Sequence, residues 1–184
     1  RQHGSGNAGT TNALRTLGKK AGALTLLGDC LKCVIAVLIA RFVFASHAGT
    51  DLPLLELYAG AGCVLGHNFP FYLKFKGGKG VAASVGLLLA FDIRLFPVCA
   101  VLFFGVFFLT HYVSLCSLVA YLTFFASLII VGLNGGYDCT QAALYEMYAV
   151  AGVLTVLAYW KHRQNIVRLL HGNESKIYLS KKNS

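Results

Sequence analysis

Residues 113–133 read VSLCSLVAYLTFFASLIIVGL, a run with no charged side chain and no polar stripe. Roughly 20 such residues, rising 1.5 Å each, make a helix as long as the hydrocarbon core of a bilayer is thick. Five further apolar runs lie around it, at 21–45, 52–72, 81–91, 95–110 and 141–160. The run at 81–91 is too short to cross alone, so it must lie between other helices that satisfy its backbone groups. The expected fold is an all-α, polytopic transmembrane helical bundle with six spans.

Composition agrees. Of 184 residues, 57% are hydrophobic and only 12% charged, far from the soluble norm. Lys and Arg in short loops stay cytoplasmic. With the N-terminus inside and six crossings, the inside set is Arg1, Arg15, Lys19, Lys20, Lys74, Lys76, Lys79, Lys161, Arg163, Arg168, Lys176, Lys181 and Lys182. The outside set is Arg41 and Arg94 alone. If 81–91 did not cross, the basic C-terminal tail would be exported, so six crossings is the better count. The net charge of +9 is then the positive-inside rule at work. It points to anionic lipid and anionic substrates rather than nucleic acid. No repeat or interdomain linker breaks the chain, and residues 1–184 read as one domain. The chain opens on Arg1 rather than Met, with no signal peptide, and its start reads as truncated.

Three polar segments, at 1–20, 66–80 and 161–176, then share the cytoplasmic face. In the middle one, Phe75-Lys76-Gly77-Gly78-Lys79-Gly80 precedes an apolar helix. Its glycines permit close approach and φ > 0, so backbone N–H groups can turn toward an oxyanion, while Lys76 and Lys79 add charge. The helix that follows aims its N-terminal dipole at the same place. The spacing is not that of a Walker loop, because Gly80 stands where Ser or Thr is required. In the first segment, Gly4-Ser5-Gly6-Asn7-Ala8-Gly9-Thr10-Thr11-Asn12 offers hydroxyls and two amides, Asn7 and Asn12, without bulk. Arg15 and Lys19 follow at i and i+4, on one face if that stretch is helical. In the third, His162 and Asn165 are i, i+3 neighbours, and 166–170 continues as an amphipathic turn suited to the interface.

Asp29 and Lys32 stand i, i+3 inside the first apolar run, where ionisable groups are costly. Two readings stay open: a mutually neutralising structural pair, which is favoured, or a Lys32 beneath the phosphate site oriented by Asp29. His67, one short turn before the glycine loop, is the best supporting histidine. Cys30 and Cys33 have no second pair and read as apolar packing. No metal-ligand set or cofactor motif appears, so activity is expected to persist in chelator.

Taken in order, Gly4-Ser5-Gly6-Asn7-x-Gly9-x-Thr11-Asn12, Gly66-His67-x-x-Pro70 with Phe75-Lys76-Gly77-Gly78-Lys79-Gly80-Val81-Ala82, and His162-x-x-Asn165-Ile166-x-Arg168-Leu169 resemble the bacterial acyl-phosphate-dependent glycerol-3-phosphate acyltransferases. The resemblance covers essentially the whole chain. It implies a multi-pass enzyme of the bacterial inner membrane whose active site faces the cytoplasm, and a further span before Arg1, seven in all. It implies transfer of an acyl group from acyl phosphate to glycerol-3-phosphate, giving 1-acyl-glycerol-3-phosphate for phospholipid synthesis. The soluble enzyme that makes acyl phosphate would be a partner. By matching position, functional roles fall on Ser5, Arg15, Lys79 with Gly77, Gly78 and Gly80 around it, His162 and Asn165, and a structural role on Glu174. Ala8, Ala83 and Cys33 depart from the family pattern, and Ala83 lacks the hydroxyl common there.

Acyl phosphate is already activated, so no covalent intermediate is required, and no Gly-x-Ser-x-Gly elbow or His-x4-Asp pattern is present. Arg15, Lys76 and Lys79 would hold two phosphate-bearing substrates while His162 and Asn165 position the glycerol hydroxyl. Either the substrate phosphate or His162 would take the hydroxyl proton. The alternative class is a transporter for an organic phosphate, which should place its site at the bilayer midplane between inverted repeats. A purely structural membrane subunit is the third reading, and the loop chemistry disfavours it.

Overall fold

The computed structural model describes residues 3, 4 and 6–178. Among them the chain forms eight α-helices and no strands: α1 (Thr10–Leu17), α2 (Lys19–Phe44), α3 (Leu52–Asn68), α4 (Val81–Phe91), α5 (Leu95–Thr110), α6 (Val113–Leu133), α7 (Gln141–Lys161) and α8 (Arg163–Leu170). Helices α2 to α7 fall on the six expected apolar runs. Of these, α2, α6 and α7 are long and apolar enough to cross a membrane.

Two local departures have backbone causes. The second run was expected to continue to residue 72, but α3 stops at Asn68. Pro70 lacks an N–H and restricts the residue before it, and a 3₁₀ turn at Phe71–Leu73 follows. The segment at 10–17 forms α1, which Gly18 separates from α2 by adopting φ 86. Arg15 and Lys19 therefore belong to different helices, and the shared face that one continuous helix would have given them does not exist.

The short α4 sits in the middle, packed on α2, α3 and α5, with Ala82, Ala83, Gly86, Leu87, Leu88, Ala90 and Phe91 all buried. At about 16 Å it covers only half a bilayer, and burial by its neighbours is what makes so short an apolar helix tolerable. Small residues allow this: a Cβ on Gly86 would stand 2.9 Å from the carbonyl carbon of Cys30, so α2 and α4 touch backbone to backbone. The Cys30 thiol donates to the Ala82 carbonyl at 3.0 Å, and Cys33 is buried against the Gly60 carbonyl, so both cysteines pack. Val37, Leu57, Val64, Leu87, Leu128, Met147 and Leu154 complete the core between these helices.

The bundle has two chemically different ends. At one, each basic side chain is matched. Arg41 grips Glu56 at 2.7 and 2.8 Å, and Arg94 grips Asp92 at 2.9 and 2.8 Å. Asp51 accepts from Thr140, the cap of α7, at 3.0 and 2.9 Å. Arg41 and Arg94 are the two basic residues that the charge count placed outside, and each has an acid beside it here. The opposite end, where α2 and α4 begin and α3 and α7 finish, collects the three polar segments.

Candidate functional site

The glycine loop is folded back on the end of α3. The Gly77 N–H donates to the Asn68 carbonyl and the Gly78 N–H to the His67 carbonyl, both at 3.1 Å. Those two N–H groups are thus committed to protein carbonyls, and an oxyanion would have to use Lys79, Gly80 and the first turn of α4. Gly78 matters instead through space: a Cβ there would sit 2.6 Å from the Ala8 carbonyl oxygen and 2.8 Å from the His67 ring. Gly80 takes φ 83 to turn the chain into α4. Lys161 donates to the Asn68 carbonyl at 2.8 Å and lies over the Phe69 ring, tying the end of α7 to the same corner.

Lys79 reaches the third segment, where its ammonium donates to Asn165 Oδ1. Asn165 Nδ2 donates to Glu174 Oε1 at 2.8 Å, and Arg168 Nε donates to Glu174 Oε2 at 2.7 Å. Arg15, from α1, donates to the Ser175 carbonyl at 3.1 Å. One chain of hydrogen bonds therefore joins residues 79, 165, 174 and 168, with Arg15 beside it. Burial of Lys79, reinforced by the positive charges of Arg168, Arg15 and Lys161 and opposed by Glu174, lowers its amine to about 8. Burial alone would raise the Glu174 carboxyl, but hydrogen bonds from Arg168 and Asn165 outweigh it and hold the group below its ordinary value.

His162 stands at the α7–α8 junction, within reach of the Lys79 charge, and is only 2% exposed. Its Nδ1 lies 2.8 Å from the Ala158 carbonyl, which can only accept, so Nδ1 carries the ring proton and Nε2 is left as an acceptor. Burial, with the Lys79 charge nearby, pushes its pKa down to about 4. At neutral pH the ring is uncharged.

On the other side of the 77–80 loop is a cavity of about 460 Å³. Asn7, Gly9 and Asn12 line it from the first segment, Asp29 and Lys32 from α2, and His67, Gly77 and Gly78 from the second. Lys32 Nζ lies 2.6 Å from Asp29 Oδ1 and 2.8 Å from His67 Nδ1. Asn12 also donates to the His3 carbonyl at 3.3 Å.

The sequence-selected residues thus form two adjoining sets, Arg15, Lys79, His162, Asn165 and Glu174 in one and Asn7, Asn12, Asp29, Lys32, His67, Gly77 and Gly78 in the other. Lys76 belongs to neither, being exposed on the loop and absent from the cavity wall. Ser5 lies outside the described residues. Two members were given no role from the sequence, although Arg168 stood in the third motif. Arg168 follows Asn165 by three residues on α8, a spacing that could have flagged it. Asn68 is buried, with its carbonyl accepting from both Gly77 and Lys161, and only its place inside Gly66-His67-Asn68-Phe69-Pro70 hinted at this. Among the described residues, no three His, Cys, Asp or Glu side chains gather to hold a metal ion.

Comparison with known proteins gives a consistent answer. The family model described as glycerol-3-phosphate acyltransferase matches residues 1–172. The glycerol-3-phosphate acyltransferase of Clostridioides difficile (strain 630) is 45% identical over 183 residues, covering 96% of this chain and 81% of that protein. The fold also matches crystal structures of PlsY (YgiH), an integral membrane glycerol 3-phosphate acyltransferase. Its glycerol 3-phosphate form gives a TM-score of 0.83 at 36% identity, covering 97% of this chain and 82% of that one. Its lysophosphatidic acid form gives 0.80 at 36% identity, covering 95% and 81%.

Proposed function

Since the chain belongs to the glycerol-3-phosphate acyltransferase family of integral membrane enzymes, we propose that it transfers an acyl group from acyl phosphate to the sn-1 hydroxyl of glycerol-3-phosphate. The products are 1-acyl-glycerol-3-phosphate and inorganic phosphate. Its membrane is the bacterial inner membrane, crossed six times by this chain. The three polar segments face the cytoplasm, where a soluble enzyme supplies the acyl phosphate.

The observation that carries this reading is the hydrogen bond from Lys79 to Asn165, which joins two segments 86 residues apart beside Arg15. A buried ammonium among other cations has an unmet need for negative charge, and a phosphate dianion meets it. Lys79 and Arg15 would hold the glycerol-3-phosphate phosphate. His162 Nε2, an acceptor on a neutral ring, suits the attacking hydroxyl and holds it against the acyl carbon. Positioning of this kind can supply about 7 to 11 kcal/mol of barrier lowering. The hydroxyl oxygen bonds to the acyl carbon, the bond from that carbon to the phosphoryl oxygen breaks, and phosphate leaves with the electron pair. Phosphate, with a second pKa near ~6, takes the hydroxyl proton. A ring held at about 4 is a weaker base for this step than the departing phosphate.

The test is direct. Purified protein in detergent, given a long-chain acyl phosphate and labelled glycerol-3-phosphate, should yield labelled lysophosphatidate, in EDTA as well as without it. Absence of product from folded protein would overturn the assignment.

A further inference from the structure

The family model's match ends at residue 172, yet residues 173–178 are bonded to three separate parts of the polar end. This segment has no regular structure of its own, so its backbone groups find partners on other elements. The Asn173 N–H donates to the Arg168 carbonyl of α8 at 2.9 Å. Glu174 takes Asn165 and Arg168, and the Ser175 carbonyl takes Arg15 of α1. The Ile177 N–H then donates to the His111 carbonyl at 2.9 Å, at the corner between α5 and α6. The segment is a strap drawn from α8 past α1 to that corner.

One side chain decides whether the strap stays down. Ile177 is the strap's buried apolar residue, 6% exposed, in a small apolar cluster with Phe107 of α5, Cys116 of α6 and, at its edge, Leu14 of α1. The other anchors are polar. Hydrogen bonds at a wet edge exchange for water at little net gain, and the Arg168–Glu174 pair has a partly exposed arginine, which makes it a weak fastener. Apolar burial has no such exchange. Leu14 also precedes Arg15 directly, so the seat of Ile177 includes the helix that carries this guanidinium.

We propose that Ile177 is a positioning residue for the glycerol-3-phosphate site. Its seat pins the strap, and the pinned strap presents two acceptors, the Glu174 carboxylate and the Ser175 carbonyl, that aim Asn165 and Arg15. The inference rests on the acyltransferase reading, with Arg15 and Lys79 on the phosphate. Arg15 has five N–H donors; the one given to Ser175 orients the fork and leaves the others for phosphate oxygens. Asn165 Nδ2 is held by Glu174, which turns Oδ1 toward Lys79. Ile177 acts only through these groups, two and three residues from the acceptors it fixes.

The experiment is steady-state kinetics with each substrate varied in turn, on wild type, Ile177→Ala, Ile177→Val and Ile177→Leu, with thermal unfolding alongside. Emptying the seat in Ile177→Ala should raise the KM for glycerol-3-phosphate about 10-fold and leave that for acyl phosphate within about twofold. The rise in Tm that glycerol-3-phosphate gives should shrink with it. Ile177→Leu, of equal volume, should stay near wild type, and Ile177→Val should fall between. Because Ile177 acts through Glu174, adding Ile177→Ala to Glu174→Gln should change the same KM by less than about twofold. A merely structural residue would lower Tm and the amount of active enzyme with both KM values at wild type. That result would overturn the inference, as would an equal rise in both KM values or full multiplication with Glu174→Gln. If Ile177→Ala does not fold, the ratio of the two KM values in Ile177→Val decides on the same criterion. A wild type that makes no lysophosphatidate sinks the acyltransferase reading itself, which is a separate result.

Discussion

Replacing Lys79 with Gln should make the substrate-free protein more stable and the enzyme worse. The amine is lowered from 10.5 to about 8, chiefly by burial. At about 1.4 kcal/mol for each tenfold change in protonation, the folded state disfavours the ammonium by on the order of 3 kcal/mol. Gln keeps an N–H for Asn165 Oδ1 and drops the charge. Allowing for looser packing of the shorter side chain, about 1 to 2 kcal/mol of net stabilisation remains, or roughly 2 to 8 °C in Tm for a chain of this size.

The pH dependence separates this from a generic packing effect. Between about pH 8 and 10.5 the unfolded chain binds a proton at Lys79 that the folded chain does not, so wild-type stability gains with rising pH over that window. The advantage of Lys79→Gln should be full at pH 7 and shrink toward pH 10. Thermal unfolding in detergent across that range reads both quantities. Glycerol-3-phosphate should raise the wild-type Tm and leave the variant nearly unmoved, and kcat/KM for that substrate should fall about 10- to 100-fold through a lost charge-assisted bond of roughly 1.5 to 3 kcal/mol. A variant that melts well below wild type at pH 7, with phosphate absent, would refute the view that this lysine is held at a cost for an anion.

His162→Gln should retain at least about a tenth of kcat and the wild-type pH profile, because the neutral ring serves as an acceptor; loss of about 10²- to 10⁴-fold, equal to that of His162→Ala with binding and fold intact, would make His162 the base instead. Gly86→Ala should lower stability by about 1 to 3 kcal/mol, since its Cβ meets the Cys30 backbone, whereas Gly62→Ala, with nothing within 4 Å, should leave Tm unchanged. In a variant with its native cysteines removed, Cys at Thr50 and Cys at Asn173 should react with an impermeant thiol reagent from opposite sides of the membrane, Asn173 from the cytoplasm; labelling from one side would overturn the six-crossing topology.

The helices were legible because a membrane enforces a simple rule. A buried backbone must satisfy itself, so long apolar runs become helices whatever their tertiary partners. Thus α5 and α6 begin and end where the hydropathy does, and even the deficit at 81–91 foretold that α4 would be enclosed. The site was legible only as an inventory. Lys79, Asn165, His162 and Arg15 could be chosen by type, but nothing local states that Lys79 turns toward Asn165 while its neighbour Gly78 faces His67. Nor does sequence say who takes a donor first: the Gly77 and Gly78 N–H groups suited a phosphate on paper, yet the frayed end of α3 offers the carbonyls of Asn68 and His67, and those are nearer. Pro70 is the reason. By stopping α3 early it frees those carbonyls and turns the chain back toward them. The Gly77 and Gly78 N–H groups are thereby spent on architecture, and of the loop's backbone donors only those from Lys79 onward lie outside this pairing with α3.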